Sequence, residues 1–177
     1  IMTLNPDADG HSQQGYDYYI QGEFGLAIEE YTKAIQLDPY FDLAYFQRGN
    51  AFFILSQSDE ALRDLGHAIM LDPNDPDYYF GRADIYTQLG RHYDAIPDYD
   101  KAIALVPTEP SYYVARGHSN VEMEEYPAAI SDFGKAIELA PSDGSNYRYR
   151  GEVYAQLRQH NNADADFEIE RRLNGQS

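Results

Sequence analysis

The fold is decided by residues 44–73, AYFQRGNAFFILSQSDEALRDLGHAIMLDP. An apolar-rich segment over residues 43–55 is followed by a polar turn at residues 56–58, and a second apolar-rich segment begins near Asp59. The second segment ends at Pro73, because proline cannot continue a helix and disfavours the helical conformation of the residue before it. The stretch therefore predicts two consecutive helices.

The pattern repeats along the whole chain with a period of 34 residues. Small residues on facing helices let the two axes approach closely. A single helix pair cannot bury its own apolar face, so neighbouring pairs must stack into a continuous core. The columns that keep the period are Pro39, Pro73, Pro107 and Pro141; Ala27, Ala61, Ala95, Ala129 and Ala163; Ala34, Ala68, Ala102 and Ala136; Tyr45, Tyr79, Tyr113 and Tyr147; and Gly15, Gly49, Gly117 and Gly151, with Ala83 in the remaining place.

This succession of Tyr, Gly, aromatic, Ala, aromatic, Ala and Pro resembles the tetratricopeptide repeat. The resemblance implies an all-α fold, a right-handed α-solenoid of five antiparallel helix pairs, in which the first helix of each pair lines a concave groove. We expect residues 1–177 to form a single domain. Its repeats lie at about 8–41, 42–75, 76–109, 110–143 and 144–177.

Local departures from the pattern carry their own predictions. Pro97 lies inside the second helix of the third repeat and should either delay the start of that helix or bend it. In the fifth repeat, Asp164, Glu170 and Arg171 occupy places that are apolar in the other repeats and that should touch a following repeat. Polar residues there predict that the last repeat is a C-terminal cap.

The composition excludes several classes of function. There are 30 acidic and 13 Lys or Arg residues, so the net charge is −17 and argues against nucleic acid or an anionic membrane surface as partner. With no Cys, the chain has no disulfide, cysteine nucleophile or thiolate metal site. The sequence contains no run of 18 apolar residues, so we predict no direct membrane insertion. The residues do not identify a compartment; a soluble, cytoplasmic protein is preferred, and export stays open if a signal segment was removed.

Catalytic and metal-binding patterns are absent from the sequence. The five His residues fall at four different positions of the repeat, and only His92 and His160 are equivalent. Neither a Gly-rich phosphate loop nor a nucleophile elbow is present. The acidic residues 122–125 lack the Asp/Asn alternation of a calcium loop. We therefore predict a protein that is not an enzyme and that uses no metal and no cofactor.

Two charged columns predict structural ion pairs. The acids are Glu30, Asp64, Asp98, Asp132 and Asp166; the arginines are Arg48, Arg82, Arg116 and Arg150, with Gln14 in the first repeat. Pairing within a repeat would leave Glu30 without an arginine. Pairing across repeats explains Gln14, so we predict the pairs Glu30–Arg48, Asp64–Arg82, Asp98–Arg116 and Asp132–Arg150, with Asp166 left over. The alternative, an arginine column that grips an anionic ligand, stays open.

The strictly repeated tyrosines 45, 79, 113 and 147 are expected to pack, whereas contacts to a ligand should vary between repeats. By the geometry that the resemblance implies, the groove is lined by Ser12, Tyr16, Tyr19 and Ile20; Phe46, Asn50, Phe53 and Ile54; Asp77, Phe80, Asp84 and Thr87; and Val114, His118, Val121 and Glu122. Its first half is aromatic and aliphatic and its second half is acidic. These features predict a non-catalytic scaffold that binds an apolar and basic segment of a partner protein.

The resemblance also limits the partner. Chaperone-binding members of the family clamp a C-terminal carboxylate with Lys and Asn, but here Ser12 and Tyr16 occupy the clamp positions of the first repeat and only Asn50 remains in the second. We therefore predict no binding of chaperone tails that end in a carboxylate. The alternative function is architectural: self-association as a homo-oligomer through convex or end surfaces, or an interaction domain within a longer protein.

Overall fold

The structure, a computed structural model, describes residues 6–175, and over that range the chain is all α-helical. The all-α solenoid of helix pairs predicted from the sequence is confirmed. Residues 1–5 and 176–177 of the predicted domain lie outside the described residues. The ten helices of the described range are α1 (Pro6–Ile20), α2 (Phe24–Leu37), α3 (Asp42–Ile54), α4 (Ser58–Leu71), α5 (Pro76–Gln88), α6 (His92–Leu105), α7 (Pro110–Glu122), α8 (Tyr126–Leu139), α9 (Gly144–Gln156) and α10 (His160–Asn174).

The chain divides into two compact units, one that ends at Ile85 and one that begins at Tyr86. In the first unit, α1 packs against α2, α2 against α3 and α3 against α4. In the second unit, α6 packs against α7, and the succession continues through α8 and α9 to α10. Each unit is therefore built from helices that contact their neighbours in the chain.

The 34-residue period also sets the turns between the two helices of a pair. The second helices begin at residues 24, 58, 92, 126 and 160. In each of the turns that lead into them, one residue takes a positive φ: Gly22 at 81°, Ser56 at 62°, Gly90 at 71°, Glu124 at 60° and Arg158 at 57°. Glycine adopts this conformation without steric cost, and three of the five places use another residue.

Pro97 does not delay the start of α6, which begins at His92 in register with the equivalent helices. That part of the prediction is wrong. The first turn of α6 forms before Pro97 is reached, and the proline removes the hydrogen bond that its missing N–H would have donated to the carbonyl of Tyr93. That Pro97 bends the helix stays a prediction.

Close contact between the helices of a pair depends on the glycine column. A Cβ atom added at Gly15 would lie 2.7 Å from the ring of Tyr31, and one at Gly117 would lie 2.8 Å from the ring of Phe133. In these two pairs a large ring therefore fills the space that the missing side chain leaves. The alanines at positions 27, 61, 95 and 129 are fully buried beside these contacts.

The repeated tyrosines hold the turns between repeats. Tyr79 and Tyr113 are buried, and their hydroxyls donate to the carbonyl oxygens of Pro73 at 3.2 Å and Pro107 at 2.9 Å. Both bonds join places that recur with the period, six residues apart. The packing role expected for this column is confirmed at these two positions.

The last helix is polar where the earlier second helices are apolar. Asp164 and Arg171 are exposed and Glu170 is half-buried, whereas the alanines equivalent to Glu170 are fully buried. That the fifth repeat closes the array stays a prediction. Over residues 6–175, no helix is both long enough and apolar enough to cross a membrane.

Candidate partner-binding surface

The charged columns form ion pairs within repeats. Arg48 donates from Nε to Oδ2 of Asp64 at 2.7 Å and from Nη2 to Oδ1 at 2.9 Å. Arg116 makes the same two bonds to Asp132, at 3.0 and 2.6 Å. These bidentate pairs contradict the predicted pairing of Asp64 with Arg82 and of Asp132 with Arg150.

The C-terminal pair corrects the rest of the scheme. Arg150 donates to both carboxylate oxygens of Asp166, at 2.9 and 2.8 Å, so Asp166 is not left over. The other hydrogen bond of Arg116 goes to Asp100 at 2.5 Å, and the predicted pair of Arg116 with Asp98 is wrong. These arginines are therefore held by internal carboxylates and do not form a column that is free to grip an anionic ligand.

The glycine contact gives the physical reason for this pairing. A Cβ atom at Gly49 would lie 3.3 Å from Cβ of Asp64, and one at Gly151 would lie 3.3 Å from Cβ of Asp166. The close approach of the paired helices thus brings each acid beside the arginine that precedes the glycine. The third nitrogen of the guanidinium reaches back to the preceding repeat, as Arg48 does to Oγ1 of Thr32 at 3.0 Å.

Glu30, predicted to pair with Arg48, uses other partners. Its Oε1 accepts from Nζ of Lys33 at 2.6 Å, and its Oε2 lies 2.6 Å from Nδ1 of His11. The hydrogen bonds to Lys33 and His11 lower the pKa of Glu30. The first repeat, with Gln14 in place of an arginine, therefore satisfies its acid with more exposed groups.

The groove predicted in the first two repeats is partly exposed and partly core. Tyr16, Ile20 and Ile54 are 46%, 64% and 44% exposed. Phe46 instead lies 5.0 Å from the ring of Tyr78, and Phe53 packs with the buried cluster around Leu65. Tyr19, Asn50 and Phe80 are half-buried.

Two of the predicted groove residues are committed to internal hydrogen bonds. Ser12 is buried, and its hydroxyl donates to Oε1 of Gln47 at 3.1 Å. Thr87 is bonded to the hydroxyls of Tyr99 at 3.0 Å and Ser119 at 3.1 Å. Their hydroxyls are therefore engaged by neighbouring helices, and the groove role predicted for both residues stays a prediction.

In the second unit the predicted groove residues fall into two groups. Val114 and Val121 pack against the core cluster that contains Phe133. His118 and Glu122 are exposed, and the ring of His118 lies edge-on to Phe133 at 5.2 Å and to Tyr149 at 4.5 Å. Burial of the imidazole against these rings lowers the pKa of His118, an effect that Glu152 and Glu122 partly oppose. In the first unit, Asp77 is exposed and Asp84 is half-buried.

Sequence reasoning missed a cavity of about 190 Å³ in the first two repeats. Its floor includes Tyr31, whose ring is fully buried over Gly15. The Tyr31 hydroxyl has no hydrogen-bond partner among residues 6–175. Its pKa is raised by burial and by the nearby Tyr19, Tyr16 and Asp17. The cavity is lined by Tyr16, Tyr19, Tyr31, Leu43, Phe46, Gln47 and Asn50.

A signal for this cavity was present in the sequence. Tyr31 and Tyr99 are two periods apart. Tyr99 bonds to Thr87, which bonds to Ser119, but the places of Thr87 and Ser119 are taken by Tyr19 and Ala51 in the first two repeats. Comparing polar partners along each column would have identified Tyr31 as the exception.

Over the described range there is no group of three His, Asp or Glu residues that could hold a metal ion.

Comparisons with known proteins agree with the repeat geometry. A family model described as TPR repeat matches residues 15–56 and 49–90, and models described as tetratricopeptide repeat match residues 76–109 and 110–143. The chain belongs to the tetratricopeptide repeat family. No curated protein matches the sequence of this tetratricopeptide repeat protein.

Solved structures share the fold. MamA 41-end from Desulfovibrio magneticus RS-1 superposes with a TM-score of 0.90 over 99% of both chains, at 16% identity. A second MamA structure gives 0.86 at 22% identity, covering 92% of this chain and 95% of its own. YrrB, described as a TPR protein with an unusual peptide-binding site, gives 0.80 at 19% identity, covering 94% and 86%. The family and the fold support a protein–protein interaction scaffold.

Proposed function

We propose that this tetratricopeptide repeat protein is a non-catalytic scaffold that holds an extended segment of a partner protein against the first helices of its repeats. The observation that carries the proposal is the exposure of Tyr16, Ile20 and Ile54 on α1 and α3. Tyr16 and Ile20 are one helical turn apart on α1, and Ile54 lies one 34-residue period after Ile20. Exposed apolar patches are typical of interaction sites. The description of YrrB as a TPR protein with a peptide-binding site supports the same function.

The acidic charge of the protein indicates which charged residues the partner segment carries. The chain carries a net charge of −17, and Asp77 and Glu122 are exposed on first helices. A fitting segment therefore has two or three apolar anchors and at least one Lys or Arg. Because the clamp residues for a terminal carboxylate are replaced, chaperone tails that end in a carboxylate are not ligands of this surface.

The test begins with a partner identified by affinity capture from the source extract and mass spectrometry. Ile20→Ser with Ile54→Ser should weaken its binding by about tenfold or more, since burial of each side chain contributes about 1.5–3 kcal/mol. Phe53 is unsuitable for this purpose because it packs in the core. The matched control is Met70→Ser, at an apolar residue on a second helix that is 69% exposed.

A charge reversal tests the acidic half. Glu122→Lys should weaken partner binding more at low than at high salt, whereas Glu29→Lys, at an exposed acid on the second helix α2, should not. If both groove variants bind the partner as wild type does, the groove is not the binding surface. Concentration-dependent dimers in light scattering, abolished by the same variants, would instead favour self-association.

A further inference from the structure

The cavity of the first two repeats has the size and the walls of a ring-binding site. Its volume is about 190 Å³, and aromatic rings form most of its lining. An apolar cavity of about 150 Å³ is large enough to bind benzene. Tyr16 and Leu43, both at its edge, are 46% and 41% exposed, so the cavity borders on solvent.

One of the residues that line the cavity, Tyr31, carries a buried hydroxyl without a protein partner among the described residues. Tyr31 is 0% exposed, and its hydroxyl makes no hydrogen bond within residues 6–175. Buried hydroxyls are nearly always paired, because leaving one unpaired costs the full desolvation of the group. The equivalent hydroxyl of Tyr99 follows the rule, since it bonds to Thr87, which in turn bonds to Ser119.

The surroundings favour a neutral ligand oxygen. Burial and the negative charge of Asp17 raise the pKa of the Tyr31 hydroxyl, so it stays protonated and can donate a hydrogen bond. A carboxylate is disfavoured, because it would have to leave water beside Asp17 in a strongly acidic protein. The Tyr31 hydroxyl is inaccessible to solvent, so a ligand oxygen can reach it only when a wall residue turns aside, and Tyr16 is the most exposed of the wall residues at 46%.

We propose that this cavity receives the side chain of a tyrosine from the partner segment, with the tyrosine hydroxyl hydrogen-bonded to the hydroxyl of Tyr31 and Lys or Arg flanking it in the segment. The proposal rests on the groove function above and specifies its first anchor. A ring with a neutral hydroxyl at its far end matches the aromatic walls and the polar floor together. Basic flanking residues match the acidic surface around Asp9 and Asp17.

The test uses p-cresol and toluene as probes, with amide NMR titration of the full chain. The ratio of the two affinities is measured in wild type and in Tyr31→Phe. Loss of one hydrogen bond should reduce the preference for p-cresol by about three- to tenfold, while toluene binds unchanged. Shifts of the Tyr16, Leu43 and Asn50 amides should report the site.

Tyr99→Phe is the matched control, because it removes the equivalent hydroxyl in the other unit and should leave the ratio unchanged. The anion 4-methylbenzoate should bind more weakly than p-cresol. A ratio that Tyr31→Phe does not change, or the lack of saturable shifts with either ring, overturns the proposal. If the ring probes fail while Ile20→Ser with Ile54→Ser still loses the partner, the scaffold function stands without the tyrosine anchor.

Discussion

The first repeat and the repeats after residue 86 share their apolar columns but differ in how polar groups are satisfied. Tyr99 is hydrogen-bonded, whereas Tyr31, two periods earlier, has no partner among the described residues. Asp132 is held by Arg116 and by the amide of Asn120 at 2.9 Å, whereas Glu30 is held by the more exposed His11 and Lys33. Repeats that share these apolar columns therefore do not need the same polar network.

The difference has a functional meaning. A buried network that is incomplete lowers stability, and such departures from local consistency are typical of functional sites. In the first repeat the incomplete network lies beside the cavity and the exposed Tyr16. In the fourth repeat Asp132 is held by Arg116 and Asn120, and the place equivalent to Tyr16 is filled by His118, whose ring packs against Tyr149.

The largest expected effect is a difference in stability between variants of two equivalent acids, Asp132 and Glu30. Asp132→Ala should lower the free energy of unfolding by roughly 3 kcal/mol, because it leaves the partly buried Arg116 without its bidentate partner. Glu30→Ala should cost only about 0–1 kcal/mol, since Lys33 and His11 are more exposed. Urea denaturation followed by circular dichroism measures both.

Asp132→Asn is the control variant. It keeps the volume of the side chain and removes its charge, so it separates the loss of the ion pair from the loss of packing. Equal losses for Asp132→Ala and Glu30→Ala would contradict the distinction between the repeats. A loss near zero for both would show that the ion pairs contribute nothing measurable to stability.

The pairing of these charges marks the limit of what the sequence could predict. The period placed every column correctly, and with it the helices and the buried Ala and Gly contacts. It could not distinguish Arg48 with Asp64, 16 residues on, from Arg48 with Glu30, 18 residues back, because both spacings repeat along the chain. Gln14 favoured the wrong scheme, since His11 and Lys33 had taken over the role of an arginine.

The prediction of the groove residues was limited for a different reason. A repeat pattern identifies the helix that carries a residue, but not how far its neighbours cover it. Ile20 and Ile54 are exposed, whereas Ser12 is buried and Phe53 is partly buried against the cluster around Leu65. The cavity over Tyr31 depends on the absence of partners, which no single column reveals.

The turns allow a second comparison between the first and fourth repeats. Gly22 and Glu124 occupy equivalent places with φ near 81° and 60°. Glu124→Gly should stabilise the protein by about 1 kcal/mol, because a left-handed conformation is strained for a residue with a Cβ. Gly22→Ala should destabilise by a similar amount. Thermal unfolding measures both, and the same sign for the two variants would contradict the conformational argument.

The hydroxyls of Tyr31 and Tyr99 should differ in their contribution to stability. Tyr99→Phe should cost about 0.5–1.5 kcal/mol, the usual value of one hydrogen bond. Tyr31→Phe should cost nothing or stabilise slightly, because it removes a buried hydroxyl without a partner. Equilibrium denaturation of the two variants side by side makes the comparison, and a clear loss in Tyr31→Phe would mean that its hydroxyl is satisfied in solution.

The smallest expected effect concerns His118, which occupies in the fourth repeat the place of Tyr16 in the first. One side of its ring is exposed, while the other lies against Phe133 and Tyr149. Burial disfavours the charged imidazolium, so we expect an NMR titration midpoint below the ordinary pKa of 6.5 despite Glu152 and Glu122. A midpoint at or above 6.5 would show that the two glutamates outweigh burial.

The lowered pKa of His118 fixes the sign of its effect on stability. Because the unfolded chain binds the proton more readily than the folded protein, the contribution of the neutral ring is complete above pH 6.5 and is lost as the pH falls below it. His118→Gln should remove this part of the pH dependence, while Tyr16→Gln in the first repeat should leave it intact. Denaturation curves at about pH 7.5 and about pH 5.5 for wild type and both variants measure the difference. A pH dependence that only His118→Gln removes would distinguish two equivalent places: His118, which packs against Tyr149, and Tyr16, which is 46% exposed.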